Sequence, residues 1–496
     1  MGSSHSRRCP AVHCDGLKSE ALHFRSTPRA HHGRVREQIS FPADSSLQLP
    51  AGIAVLASFC TPSFAQERAR LAASPKLELK LKATLAGHED QVFALALSRN
   101  GEFLATRGEV NRGTKLWNTA TGKLIATVDG ISPEFSPDDR IFLTISNKTI
   151  NLWDAVTGEL KQTLTGHEGT ITEVCFSPDG TKLATGSTDG TVKIWDLATG
   201  SLSQTLRVWK VKKLPRFRII SRVMHIPVEV YVKFSPDQQS VLTNTYWEHS
   251  RAKLWDVNSG RLQAELAGAM VTTVYYDTKE AGVTETSFSP DGQFIVTKSD
   301  SKVRIWETAT HKLVKEFDSL VSLEGFSPDS KWLGLVRMTQ PRGPTTDADG
   351  GAFLNLETMT LQPTTSRIET AFLNQQAFSP DSRTYVIASG YKDYHATLID
   401  IATGRVTATI PLAAKWGFDI VSEYQKDADI LSFHPSSKFL MGASHSSIKM
   451  WDASTGTLAW TTTDARNPAR FSNDGKLLVT VGKDKKTVLL WNVVSD

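Results

Sequence analysis

The stretch whose reading decides the fold is residues 166–200, GHEGTITEVCFSPDGTKLATGSTDGTVKIWDLATG. It holds His167, Ser187 and Asp189, the three side-chain types of a hydrolytic triad. A constellation found once is a candidate active site, whereas one that recurs along a chain is better read as holding a fold together. This one recurs. An apolar strand ending in a Phe-Ser-Pro-Asp-Gly-like turn comes at Leu97, Phe135, Phe176, Phe234, Phe288, Phe326, Phe378, Phe433 and Phe471. A later strand carries Trp117, Trp153, Trp195, Trp255, Trp306, Leu356, Ile399, Trp451 and Trp491, each followed by Asp, Glu or Asn.

Most of these positions are followed by an Ala-Thr-Gly-like turn and another strand, as in LATGSLSQTL at 197–206. Each repeat therefore supplies four short antiparallel strands, a unit that cannot bury both faces alone and does so by packing radially against its neighbours. The predicted fold class is all-β, a closed β-propeller of four-stranded antiparallel blades. Nine blades is the expected count, with eight plus one displaced repeat as the fallback. KLELKLKATLAGH at 76–88 offers a strand with no third strand before it, and the last repeat stops at LLWNVVSD without an outer strand. Pairing the two closes the ring with no exposed edge.

These residues resemble the WD-repeat family: Gly-His at 87–88 and 166–167, and LWN, LWD, IWD, LWD, IWE, MWD and LWN at the seven tryptophan positions. The resemblance covers residues 76–496. It implies that His167, Ser187, Asp189 and Trp195 form a hydrogen-bonded chain inside one blade. Asp189 accepts from the imidazole, the other ring nitrogen accepts from Ser187, and the Ser187 oxygen accepts from the Trp195 N–H. On this reading the apparent triad is structural and no catalytic residue is expected. Trp117, Trp153, Trp255, Trp306, Trp451 and Trp491 are the other blade tryptophans. Two departures stand out: nine blades exceed the usual four to eight, and Leu356 and Ile399 replace Trp in repeats six and seven.

Composition agrees with a soluble all-β chain: of 496 residues 40% are hydrophobic, and the 33 Gly and 21 Pro sit mostly in evenly spaced turns. Residues 1–47 hold 7 Lys/Arg and 4 Asp/Glu, which leaves 49 against 48 in the rest, so the body is nearly neutral and is not a globally basic nucleic-acid binder. Only Cys175 of the four cysteines lies in the repeats, which excludes a disulfide framework there and makes it a buried apolar filler.

Residues 1–47 read as a disordered extension and 48–75 as a signal peptide and linker, since the apolar run Ala51–Phe59 has a signal-core length with Ser63-Phe64-Ala65 as a cleavage site. The expected location is therefore periplasmic or secreted, with the cytoplasm as the alternative. Met1 to Ser6 also fits a myristoylation pattern, and Cys9, His13 and Cys14 are metal-ligating types, but both signals are short and frequent by chance.

Strand order puts Ser-Pro-Asp-Gly and Ala-Thr-Gly turns on one side and the remaining connections on the other. The insertions 207–229, 268–282, 337–351 and 414–428 all fall on the second side, where binding concentrates. The first carries Arg207, Trp209, Lys210, Lys212, Lys213, Arg216, Phe217, Arg218 and Arg222 with no acidic residue in 207–222, a set suited to an acidic surface or a polyanion. Trp416, Phe418 and Tyr424 are candidate interface anchors, and Asp347 with Asp349 is a weak cation motif. The function expected is a non-enzymatic scaffold, a monomeric propeller with no cofactor and no membrane span, binding a protein partner on the variable face. The alternatives are an extracytoplasmic propeller enzyme with a central-channel site and a subunit of an intracellular complex.

Overall fold

The computed structural model describes residues 77–109, 113–208, 229–245, 251–266, 270–271, 279–280, 283–299, 302–318, 321–337, 350–367, 376–389, 395–412 and 430–495. They form nine four-stranded antiparallel sheets arranged as a β-propeller, plus a two-stranded piece, Met270–Val271 with Lys279–Glu280. Blade 3 is typical: Ile171–Phe176, Lys182–Ser187, Thr191–Asp196 and Leu202–Arg207 lie side by side in chain order. Its second strand is buried almost throughout, while its fourth alternates exposed and covered residues, as a strand with one wet face must.

Blades 1 to 8 follow this order along the chain, and blade 9 is completed from the other end. Leu77–Leu85 pairs antiparallel with Val488–Ser495, the third strand of blade 9, beginning at Leu77 opposite Ser495 and ending at Leu85 opposite Val488. First strands lie against each other between blades 1 and 2, 3 and 4, 6 and 7, 7 and 8, and 9 and 1, which sets them on the inner side of the ring. The core is correspondingly divided. Nine apolar clusters each join two neighbouring blades, and the one formed by Val92, Leu104 and Trp117 with Leu85, Val479, Val481, Val488 and Leu490 joins blade 1 to blade 9. Ring closure is thus both hydrogen-bonded and apolar.

One rim is uniform. The connection between first and second strands is five residues long in every blade, from 98–102 in blade 1 to 472–476 in blade 9. In blade 3 the buried Ser177 Oγ accepts from the Lys182 N–H at 2.8 Å and donates to Asp179 at 2.6 Å. Seven other turns have the same Ser, and His434 takes its place in blade 8, where Nδ1 accepts from the Ser436 N–H at 3.1 Å.

The fourth residue of each turn has positive φ, and its side of the turn abuts the preceding blade. Asp139 accepts at 2.8 Å from both the Arg99 and Asn100 N–H groups, and Ser330, Ser382 and Ser437 accept from the N–H of Asp291, Asp329 and Asp381 at 2.9, 3.0 and 3.0 Å. These bonds offset the cost of a left-handed backbone at a residue with a Cβ. At Gly475, φ +71°, a Cβ would stand 2.6 Å from His434 Nε2, which instead donates to the Gly475 carbonyl at 2.9 Å. This rim is a belt whose hydrogen bonds tie blade 2 to blade 1 and each of blades 6 to 9 to the one before it.

The opposite rim is irregular. The link from fourth strand to next first strand is Gly130 alone between blades 1 and 2 but spans 208–229 between blades 3 and 4. Variation in length is confined to this side.

Candidate functional site

The apparent triad lies inside blade 3, and one of its members is not the residue expected. His167 Nδ1 donates to Asp189 Oδ2 at 2.8 Å, and Nε2 accepts at 2.7 Å from the hydroxyl of Thr185. Trp195 Nε1 donates to the same Thr185 oxygen at 3.0 Å. Ser187 takes no part in this chain; its oxygen accepts from the Asp189 N–H at 3.2 Å. The reason is register. Trp195 pairs with Leu183, and Thr185 is the diagonal neighbour on the same face, whereas Ser187 stands two residues farther along.

Burial pushes the His167 pKa down more than Asp189 raises it, so the imidazole is neutral. Burial would raise the Asp189 pKa, but hydrogen bonds from Thr191, His167 and the Glu168 N–H outweigh it and hold the carboxyl well below its ordinary range. Thr185 and Ser187 are both 0% exposed, so neither oxygen can reach a substrate.

The same Trp-to-Thr bond recurs in six blades: Trp117 to Thr106, Trp153 to Thr144, Trp195 to Thr185, Trp255 to Thr243, Trp306 to Thr297 and Trp491 to Thr480, at 2.8–3.0 Å. In blade 1 His88 Nε2 also meets Thr106, at 2.7 Å. Blade 8 keeps Trp451, but Gly442 stands at the threonine position, where a Cβ would lie 2.7 Å from the indole.

Blades 6 and 7 lack both partners. Register in blade 6 puts Leu354, opposite Leu333, at the tryptophan position, so Leu356 is two residues out as the expected equivalent. Asn355 then fills the Asp position, accepting from the N–H groups of Glu357 and Thr358 at 3.0 and 2.9 Å. Ile399 in blade 7 does hold the tryptophan position, opposite Tyr385.

Four residues on the first strands of blades 2 to 4 are chemically notable. Burial, then repulsion from Glu173, pushes the Glu134 carboxyl up to about 7. Burial also raises Glu173 and the Cys175 thiol, with Lys233 partly offsetting both. Cys175 is half-buried rather than buried, and packs against the core between blades 3 and 4. With its thiolate disfavoured it is a poor nucleophile.

On the variable rim, between blades 8 and 9, His445, Ser446, Thr463, Ala465, Arg466 and Lys483 line a cleft of about 260 Å³. Sequence reasoning missed it; the only signal was an arginine inside the first strand of blade 9. The candidate binding residues Trp209, Lys210, Lys212, Lys213, Arg216, Phe217, Arg218 and Arg222, and likewise Trp416, Phe418 and Tyr424, lie outside the described residues, as do Asp347 and Asp349. Among the described residues there is no His/Cys/Asp/Glu cluster able to hold a metal, and no helix long and apolar enough to cross a membrane.

A ring of nine blades, belted on one rim and variable on the other, is a β-propeller whose repeats are held by buried Trp-Thr bonds. The sequence family described as WD domain, G-beta repeat matches residues 79–118, 158–196 and 270–307, so the chain carries repeats similar to those of WD-repeat proteins. It is 25% identical to Protein tipD of Dictyostelium discoideum over 57% of this chain and 51% of that protein. It is 29% identical to the Periodic tryptophan protein 2 homolog of Schizosaccharomyces pombe over 38% of this chain and 21% of that one. The Guanine nucleotide-binding protein subunit beta of Oryza sativa subsp. indica is 23% identical over 46% of this chain and 60% of its own length. The chain thus spans about half of the first relative and less of the second. These relatives overturn the expected export: they are intracellular eukaryotic proteins and point to the cytoplasm or nucleus.

Proposed function

We propose that this protein is a non-enzymatic scaffold that binds a protein partner on the variable rim of its propeller, with residues 76–496 as the binding unit and the ring acting as a monomer. One observation carries this reading: every first-to-second-strand turn is five residues long and five junctions between these turns are hydrogen-bonded, while the large variation in length lies on the opposite rim. A rigid disc with one belted rim presents variable loops at fixed spacing, which is what a recognition surface requires. The basic-aromatic stretch 207–222 and the aromatics of 414–428 are proposed as contact segments. Against a channel enzyme stand a thiol held protonated by burial and a carboxyl, Glu134, whose raised pKa follows from burial and repulsion by Glu173, with no hydrogen bond to a nucleophile among the described residues.

Site-specific photo-crosslinking tests the proposal. A crosslinker at Ser446, Glu168 or Lys485, on the variable rim, is expected to capture one recurrent partner in cells; at Arg140, Gln239 or Lys476, on the belt, it is expected to capture none. Crosslinks confined to the belt would overturn it.

A further inference from the structure

The cleft between blades 8 and 9 contains a charge that no described residue answers. Arg466 is 8% exposed and lines the cleft, yet among the described residues it makes no ion pair and its guanidinium donates no hydrogen bond. A guanidinium stays charged at any physiological pH, so one facing a cleft favours an anion there. The walls around it are fixed. The Asn467 N–H donates to the Ser444 carbonyl at 2.9 Å, and the Lys483 N–H donates to the Asp464 carbonyl at 2.8 Å. Ser444 in turn accepts from the N–H groups of Ser446 and Ser447, at 3.2 and 3.1 Å, which shapes the rim above Arg466.

Lys483 lines the same cleft, and Lys485 and Lys486 follow in the turn. The nearest acid of that turn, Asp484, is engaged locally: its Oδ1 accepts from Lys486 N–H at 3.0 Å and from the Thr487 N–H and hydroxyl at 2.9 and 2.8 Å. The hydroxyls of Ser446 and Thr463 complete a lining of donors around one buried fork.

We infer that this cleft takes an oxyanion, a carboxylate or phosphate, on one side chain of a protein partner, with Arg466 making the bidentate contact and Lys483 adding charge at the mouth. This deepens the scaffold reading and rests on it, because the cleft lies on the variable rim. A cleft of about 260 Å³ admits one side chain, and no Phe, Tyr or Trp lines it, so the usual stacking platform for a base is missing.

The test is fluorescence anisotropy on the full chain at low salt, with a labelled hexaglutamate peptide and a labelled phosphoserine peptide as probes; the better binder tells carboxylate from phosphate. Arg466→Gln is expected to weaken binding at least tenfold and Lys483→Ala severalfold, while Lys476→Ala, on the belt, leaves it unchanged. Lys483 is exposed, so its variant remains informative should Arg466→Gln fail to fold.

The inference falls if neither peptide binds, if either cleft variant binds like the parent, or if an oligodeoxythymidylate binds more tightly than both peptides in an Arg466-dependent way. Should variable-rim crosslinking succeed while the cleft variants bind normally, the cleft alone is refuted and the scaffold reading stands.

Discussion

Replacing Thr185 by Val tests the internal logic of the blades, because it keeps shape and removes one oxygen. That oxygen donates to His167 Nε2 and accepts from Trp195 Nε1, and the residue is fully buried. Valine leaves two buried polar groups unanswered. Each orphaned group costs about 1–3 kcal/mol, so about 3 kcal/mol is expected in total. Ser187→Ala, the change that the triad reading would rank first, removes only a 3.2 Å bond from the Asp189 N–H and is expected to cost no more than about 1 kcal/mol. Thr243→Val falls between the two, since only the Trp255 bond has good geometry there. A nine-blade ring need not unfold in one step, so the assay is native-state hydrogen exchange read on peptides of blade 3 and blade 4. A Ser187→Ala effect equal to that of Thr185→Val would refute the assignment, as would a silent Thr185→Val.

Other perturbations probe the belt, the channel and the closure. Asp139→Gly relieves a left-handed residue but removes two bonds to blade 1, so a net loss of about 1 kcal/mol is expected in blade 2 exchange, against near neutrality for Ser437→Gly, which gives up one. Gly442→Thr restores the residue type found in six blades, yet it is expected to destabilise blade 8 by about 1–3 kcal/mol in thermal melts, because the Trp451 ring occupies the space. Glu134, raised from 4.5 to about 7, contributes stability that is complete below about 4.5 and lost as pH rises through 7. Glu134→Gln is therefore expected to match the parent at pH 4 and exceed it at pH 8 by up to about 3 kcal/mol in denaturant titrations. Deleting 77–85 uncovers the Val488–Ser495 edge, and concentration-dependent association by light scattering is expected.

Much of the fold was legible because its marks are periodic and chemically necessary. The Ser of eight turns and the Asp of seven serve the turn itself, so they recur and can be counted. The misplacements of Ser187 for Thr185 and Leu356 for Leu354 share one cause: side chains two apart on a strand share a face, and only cross-strand register tells which one meets the tryptophan. Arg466 was invisible for a different reason. Its significance lies in what fails to surround it, and that depends on the 444–447 and 483–487 turns arriving from two blades.

The most direct test of the central claim, recognition through the variable rim, is a hydrogen-exchange footprint of the full chain with and without its crosslinked partner. Protection is expected at 444–447, 463–466 and 483–487 and in the 209–228 connection, with the five-residue turns at 98–102, 136–140 and 177–181 unchanged. Protection of those turns with an unaltered variable rim would contradict it.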